Sequence, residues 1–411
     1  MRVARTRAVA LITALAATVL VGLTTGAAAM AGGGRSDPFP SPGRGVALTW
    51  APAHMSPDSH YTRRQALRLA HRNDVVTAVP YAFRRYAGAM RRANPSLTLL
   101  AYSSATTSGA DAASALPEEQ FAHDADGQRI RSTGFGRYLM EPSDPGWQRT
   151  SVKVCAERIT LGHYDGCFLD GLAMAIYSAH FVSALPVVPG TDRPYTQRQW
   201  RDELVALSDA FARHRPRLTY AGNAVGNTYR YWDDPVSSRR VVRNLPAAAM
   251  EDFMRGAGDR VSRFPTGARW RKNLDAVRDI ESHGGTGLFL TKLWVAATPA
   301  QLRTWQAYAM ATFLLGADGH SYFAFTDART KTAVLGSDLP YRMPRHLGRP
   351  TSGVHHAHGV YRRHFAHGLV VVNPTRHRHR VGLGHSYVTL GGRHVHRLRL
   401  RPHHAQVLVV R

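Results

Sequence analysis

Apolar and polar positions along this chain alternate regularly between two periods. Short apolar runs recur at Val46–Trp50, Val75–Pro80, Leu97–Ser103, Tyr164–Asp170, Leu218–Asn223, Ala248–Glu251, Gly287–Trp294 and Ser321–Phe325. Between them lie stretches with three- and four-residue apolar spacing, such as Tyr61–His71, Ala82–Ala93, Trp147–Leu161, Gln197–Arg213, Ala268–His283 and Pro299–Leu315. The first pattern predicts buried strands and the second amphipathic helices. In the last helix Leu302, Trp305, Ala309 and Phe313 form one core-facing stripe, and its polar residues exclude a membrane span. Eight strand–helix repeats predict a parallel sheet closed into an α/β fold, a (β/α)8 TIM barrel, over residues 45–335. An open doubly wound sheet is the competitor, but no Gly-rich dinucleotide fingerprint follows any strand.

Beyond Thr326 the pattern changes. The runs Leu369–Val372, Arg380–Leu383, Tyr387–Leu390, His396–Leu400 and Gln406–Val410, separated by Gly, Pro and Asn turns, predict a small C-terminal antiparallel β-sandwich domain over 336–411. From Leu339 to Arg411 there is no Asp or Glu, while 12 histidines fall between Thr351 and Arg411. Those histidines are scattered, with no carboxylates to orient them, so they read as solvated strand faces and not as metal ligands. An acid-free domain cannot supply a catalytic carboxylate pair. Packing on the barrel or binding to polymer is what remains for it.

The N-terminus adds an address. Arg2, Arg5 and Arg7 precede an apolar stretch from Ala8 to Leu23, and Ala29-Met30-Ala31 offers a small-x-small cleavage site. This predicts a signal peptide over 1–31 and a secreted protein without stable membrane insertion; residues 32–44 read as a flexible leader. The formal net charge is +25, from 49 Arg and 4 Lys among 53 basic residues. No Lys/Arg run with interleaved aromatics occurs, so nucleic acid is not an expected partner, whereas an anionic cell-wall polymer is a possible one. The two cysteines, Cys155 and Cys167, sit on a predicted helix and the following strand. A disulfide and two separately buried thiols are both compatible with that placement.

Candidate chemistry sits at strand ends. Tyr164-Asp165-Gly166-Cys167-Phe168-Leu169-Asp170-Gly171 delivers Asp170 to the C-terminal end of the fourth strand, and Ala247-Ala248-Ala249-Met250-Glu251 delivers Glu251 to that of the sixth. In a parallel barrel this end carries the active site. Strands two apart in the ring bring inward side chains to within about 5–9 Å, the separation at which paired carboxylates cleave glycosidic bonds. Strand parity turns Asp252 away from the lumen. Asp165, at the strand's opening end, reads as structural, and Asp144 as a helix cap. Trp50, Tyr102, Asn223, Asn227, Lys292 and Trp294 are the candidate substrate-binding residues at the rim, with Phe325, Tyr229, Tyr231 and Trp232 nearby. The long segment from Ala105 to Pro145 is expected to build the cleft, and its Asp124-Ala125-Asp126-Gly127 stretch to be a surface turn. Neither a metal nor another cofactor is called for.

The Tyr-Asp-Gly-x-Phe-Leu-Asp strand and the later Met250-Glu251 strand resemble the barrel of the endo-α-1,4-polygalactosaminidase family. They are more similar to the group called glycoside-hydrolase-like family 15, which Asn94-Pro95 and Glu141-Pro142-Ser143-Asp144-Pro145-Gly146-Trp147 also match. The resemblance spans roughly residues 45 to 330 and implies an Asp and Glu catalytic pair, falling here on Asp170 and Glu251. Analogy with such barrels makes Asp170 the nucleophile and Glu251 the proton donor. The chain departs from the galactosaminidases at Gly171, where that family carries a second acid. The expectation is a secreted, retaining glycoside hydrolase acting on an extracellular or cell-wall polysaccharide. A catalytically inactive glycan-binding barrel of the cell surface is the alternative.

Overall fold

A computed structural model of the chain describes residue 39 and residues 45–55, 60–110, 114–176, 182–214, 218–327 and 343–410. Eight strands form one parallel sheet: β1 (Trp50–Pro52), β2 (Val75–Ala78), β3 (Thr98–Ser104), β6 (Gly166–Asp170), β7 (Thr219–Gly222), β8 (Ala247–Met250), β9 (Gly287–Leu293) and β10 (Tyr322–Asp327). A parallel bridge between Thr49 and Phe323 brings the last strand back to the first, which closes the barrel. The helices are α1 (Arg63–Arg72), α2 (Ala87–Ala93), α3 (Pro145–Gly162), α4 (Gln197–Arg213), α5 (Thr228–Asp233), α6 (Pro235–Asn244), α7 (Gly267–Ser282) and α8 (Pro299–Gly316). Their starts are encoded locally. Thr62, Thr196 and Thr298 each form a reciprocal capping box with a glutamine three residues on, and Asp144 accepts from the Trp147 N–H ahead of Pro145.

The barrel lumen is filled by Leu100, Phe168, Ala221, Ala249, Leu288 and Leu290, all buried. Strands covered on both faces read as continuous apolar runs, which is why the sequence pattern locates all eight. Cys155 on α3 and Cys167 on β6 form a disulfide, with Cα atoms 6.0 Å apart. Asp165 accepts from the Leu99 N–H at 2.7 Å and pairs with Arg91 at 2.7 Å, so it fastens β6 to β3 and α2.

The segment after β3 is built from short pairings: β4 (Thr107–Ser108) pairs with β5 (Tyr138–Leu139), and further bridges join Phe121 to Met140 and Arg131 to Tyr138. Asp124 accepts from the N–H groups of Asp126 and Gln128, which makes its stretch a surface turn.

The C-terminal strands are β11 (His355–Ala357), β12 (Val360–Phe365), β13 (Gly368–Asn373), β14 (His379–Thr389), β15 (His394–Leu400) and β16 (His404–Val409). They form one antiparallel sheet in the order β11-β12-β13-β16-β14-β15, with a register shift in β14 between Gly382 and Tyr387. Val360, Leu369, Val371 and Leu408 share an apolar cluster with Leu383, Val395, Leu398 and Leu400, so the β14–β15 hairpin folds over the rest as the second layer. The other face joins the barrel core through Tyr361, Val370, Val372 and Val407. Arg363 is buried and donates to the carbonyls of Leu315 (2.9 Å) and Ala317 (2.8 Å), satisfying the open C-terminal end of α8.

Residues 1–31 lie outside the described residues, as does the expected domain boundary at 335/336. Of the leader before residue 45 the described residues include Phe39, which is buried in the lumen cluster with its ring centroid 6.0 Å from that of Tyr322.

Candidate active site

Asp170 is the last residue of β6, and its carboxylate is fixed by three donors. The Tyr102 hydroxyl donates at 2.8 Å, the Asn223 amide at 3.1 Å and the Gly171 N–H at 2.8 Å. Gly171 makes this turn at φ +95°, and a Cβ there would stand 2.0 Å from the Thr106 hydroxyl. The second acid found here in the amino-sugar family is therefore excluded twice, by backbone and by space.

Glu251 follows β8 and faces an ammonium and an imidazole. Lys292 Nζ lies 3.4 Å from it, and His54 Nε2 lies 3.9 Å away. The latter is an electrostatic contact, too long for a hydrogen bond. His54 is held by the Thr77 hydroxyl at 2.6 Å and stacks on Trp50 and Tyr102. Trp50 in turn donates to the same hydroxyl at 3.1 Å.

Both carboxylates lie among the lining of one cleft of about 250 Å³, together with Tyr102, Asn223, Asn227, Asp252 and Lys292. Their surroundings push them apart. Burial, reinforced by the charge of Glu251, raises the Asp170 carboxyl above its ordinary value. Burial also opposes ionisation of Glu251, but His54 and Lys292 outweigh it and hold that carboxyl below its ordinary value. Burial works against the Lys292 ammonium, yet Glu251 and Asp252 raise its proton affinity. Burial and then the Asp170 charge raise the Tyr102 phenol, which stays a donor.

Several sequence expectations need correction. Trp50 is 2 % exposed and lies beneath the cleft, because β1 runs on to Pro52; His54, which the sequence reading missed, packs on it with its side chain 4% exposed. Asp252 points into the cleft and pairs with Lys292 at 3.1 Å. Strand parity does not reach it, since β8 stops at Met250 and a bridge to Asn227 redirects the chain. Tyr231 is buried and donates to Asp279, and Tyr229 is exposed and lines a neighbouring cavity, not this cleft. Asn227 lines both spaces, and its side chain caps α5 by accepting from the Arg230 N–H at 2.9 Å. Trp294 does not line the cleft; its Nε1 donates to Thr326 at 2.9 Å and Lys292 sits 5.3 Å over its ring. Glu141 is buried, bonded by Ser143 and Tyr195.

The model of hypothetical glycosyl hydrolase family 15 matches residues 94–369. No curated protein matches the chain. Among solved structures, a pullulanase from an Anoxybacillus species, in complex with maltotriose, is similar at 12% identity and a TM-score of 0.50, covering 80% of this chain and 55% of that one. A maltogenic α-amylase from Thermotoga neapolitana is similar at 11% identity and a TM-score of 0.49, covering 89% of this chain and 96% of that one. At such identity the likeness to the pullulanase is one of fold alone.

Proposed function

The chain belongs to hypothetical glycosyl hydrolase family 15, and from that premise we propose that it hydrolyses a polysaccharide outside the cell, by a retaining mechanism, with Asp170 and Glu251 as the catalytic pair. The observation that carries this reading is the pair itself: two half-buried carboxylates in one cleft whose environments drive their proton affinities in opposite directions. Divergence of that kind separates an acid from a nucleophile or base. Local charge assigns the roles in the reverse of the order suggested by analogy. Glu251, facing Lys292 and His54, stays ionised and attacks the anomeric carbon. Asp170, held by neutral donors and raised by burial, keeps its proton and delivers it to the leaving oxygen. In the second step Asp170 takes a proton from water as the glycosyl–Glu251 ester is hydrolysed. Lys292, His54 and the Tyr102 hydroxyl fix the two carboxylates in place, and Asn223 and Asn227 offer amides to sugar hydroxyls.

Export is supported by the N-terminal Arg-apolar-small pattern and by the Cys155–Cys167 disulfide, which persists in an oxidising compartment. The reading is tested by reducing-end release from a glycan panel. Glu251→Gln and Asp170→Asn should each lower kcat by about 10²–10⁴-fold with the fold intact. Azide should rescue Glu251→Ala and yield a glycosyl azide of inverted configuration, since it attacks the face the carboxylate vacates. Rescue of that kind at Asp170→Ala alone would restore the opposite roles. Polysaccharide binding without cleavage, unchanged by either substitution, would make the protein a glycan-binding barrel instead.

A further inference from the structure

Among the described residues the cleft holds a cation with neither an acid nor a carbonyl to answer it. Arg137, brought in by the segment leading to β5, lines the same space as Asp170 and Glu251. Its Nε is buried without a hydrogen-bond partner, and its guanidinium forms no ion pair among the described residues. The other two cations of the cleft are occupied. Lys292 lies between Glu251 and Asp252, and Arg230 donates to the Ala173 carbonyl. Behind Arg137 the charge is again positive: Arg158 donates to the Tyr102 carbonyl at 3.0 Å, and burial and then the like charge of Arg137 depress its proton affinity. Two guanidiniums thus oppose each other, and neither forms an ion pair among the described residues. A half-buried guanidinium with an unpartnered Nε is stabilised when an oxyanion arrives, and its fork matches a carboxylate or sulfate in two-point contact.

We propose that Arg137 is the specificity determinant for an anionic sugar, so that the substrate is an acidic polysaccharide bearing a carboxylate or sulfate beside the bond to be cleaved. The inference rests on the glycosidase reading and narrows it. It also agrees with Gly171. A protonated amino sugar would meet Arg137 and Lys292, and the further acid of the cleft, Asp252, is already paired with Lys292. The cavity next along, of about 560 Å³, shares Asn227 and Asp252 with the cleft and carries Arg269 and Lys272 on α7, which continues the basic path for a longer chain.

The test pairs a polyuronate with its carboxyl-reduced form and a sulfated galactan with its desulfated form, assayed with the full chain, Arg137→Gln and Arg137→Lys. Cleavage of an acidic polymer but not of its neutral counterpart is expected, with kcat/KM at least 10-fold lower in Arg137→Gln, chiefly through KM, and partly restored in Arg137→Lys. Which pair responds tells carboxylate from sulfate. An unchanged unfolding midpoint separates this loss from misfolding. Equal cleavage of both members of each pair, indifferent to Arg137→Gln, overturns the inference and leaves the glycosidase standing. Calorimetric binding of acidic oligosaccharides that Arg137→Gln abolishes, with no polymer cleaved, supports the inference and removes the glycosidase. Neither binding nor cleavage of acidic glycans overturns it.

Discussion

Replacing Lys292 by Met removes the cation that faces Glu251 in the proposed catalytic pair. Its Nζ lies 3.4 Å from Glu251 and 3.1 Å from Asp252, with 11% of its side chain exposed. At an effective dielectric of about 20, Coulomb's law gives each contact about 5 kcal/mol before desolvation is charged against it. Breaking a buried pair of this kind typically costs about 3–5 kcal/mol, because the partner stays behind unpaired. For Glu251 the loss appears as a higher pKa. An opposite charge at this range lowers a carboxyl's pKa, so its removal should raise that of Glu251. The reaction needs Glu251 ionised, and activity falls as pH drops through its pKa. The acid limb of the kcat/KM profile should therefore move to higher pH in Lys292→Met and stay in place in Lys292→Arg. Stability should follow the same logic. The lowered Glu251 pKa contributes stability that is present above its unfolded value and lost as pH falls through the folded one, so the two proteins should converge on acidification. The Glu251 carboxyl resonance, titrated by carbon NMR, reads the shift without any substrate. An unmoved resonance and an unmoved acid limb would show that Lys292 does not control Glu251, and the assigned roles would lose their basis.

Asp170→Asn should stabilise the fold at neutral pH while abolishing turnover. A folded pKa above the unfolded value takes stability away as pH rises between the two, so the variant's advantage in thermal midpoint should be absent in acid and grow towards neutrality; a flat difference would contradict the raised pKa. Gly171→Ala should cost about 2–4 kcal/mol through its positive φ and the Thr106 contact, and Thr106→Ala should return part of that in the double variant. Purely additive urea midpoints would remove the contact from the account. Converting both Cys155 and Cys167 to Ser should cost about 3 kcal/mol, the loop entropy for a 12-residue separation, with urea unfolding as the measure. A loss below about 1 kcal/mol would mean that the bridge constrains the unfolded chain little.

The barrel was legible because its strands are buried on both faces, and burial on both faces leaves an unbroken apolar run that survives small errors of boundary. Helices α5 and α6 were less so. The first is six residues of Tyr, Trp, Thr, Arg and Asp with no apolar stripe, and it exists because Asn227 caps it and Tyr231 buries itself on Asp279. The second did carry a signal, Asp234 ahead of Pro235, the same cap-and-proline start as α3. At the site, Asp170 and Glu251 were found from sequence because each closes an apolar strand. Trp50 was misplaced by a shift of two residues in the end of β1, which preserves parity and moves a side chain down by one layer. The same shift hid His54. Asp252 was lost for a different reason, since alternation holds only while the strand does.

What the sequence could not carry is the inequality between the two carboxylates. As strings, Leu169-Asp170-Gly171 and Met250-Glu251-Asp252 both read as a strand ending in an acid, and analogy alone has to divide the labour between them. In space the division comes from residues far off in the chain. Lys292 reaches Glu251 from β9, and His54 reaches it from beyond β1, 197 positions away in sequence, while Asp170 receives only a phenol, an amide and a backbone N–H. Each of these neighbours is unremarkable as a sequence feature; a histidine beyond a strand is more often packing than chemistry. Barrel closure turns them into a field, because β1 and β9 both stand within reach of β8 across the lumen mouth. Moving a single charge should therefore do more than deleting a neutral contact. Lys292→Met should disturb the proton balance of the proposed pair more than Asn223→Ala does, although Asn223 makes the shorter contact, 3.1 Å to Asp170 against 3.4 Å from Lys292 to Glu251.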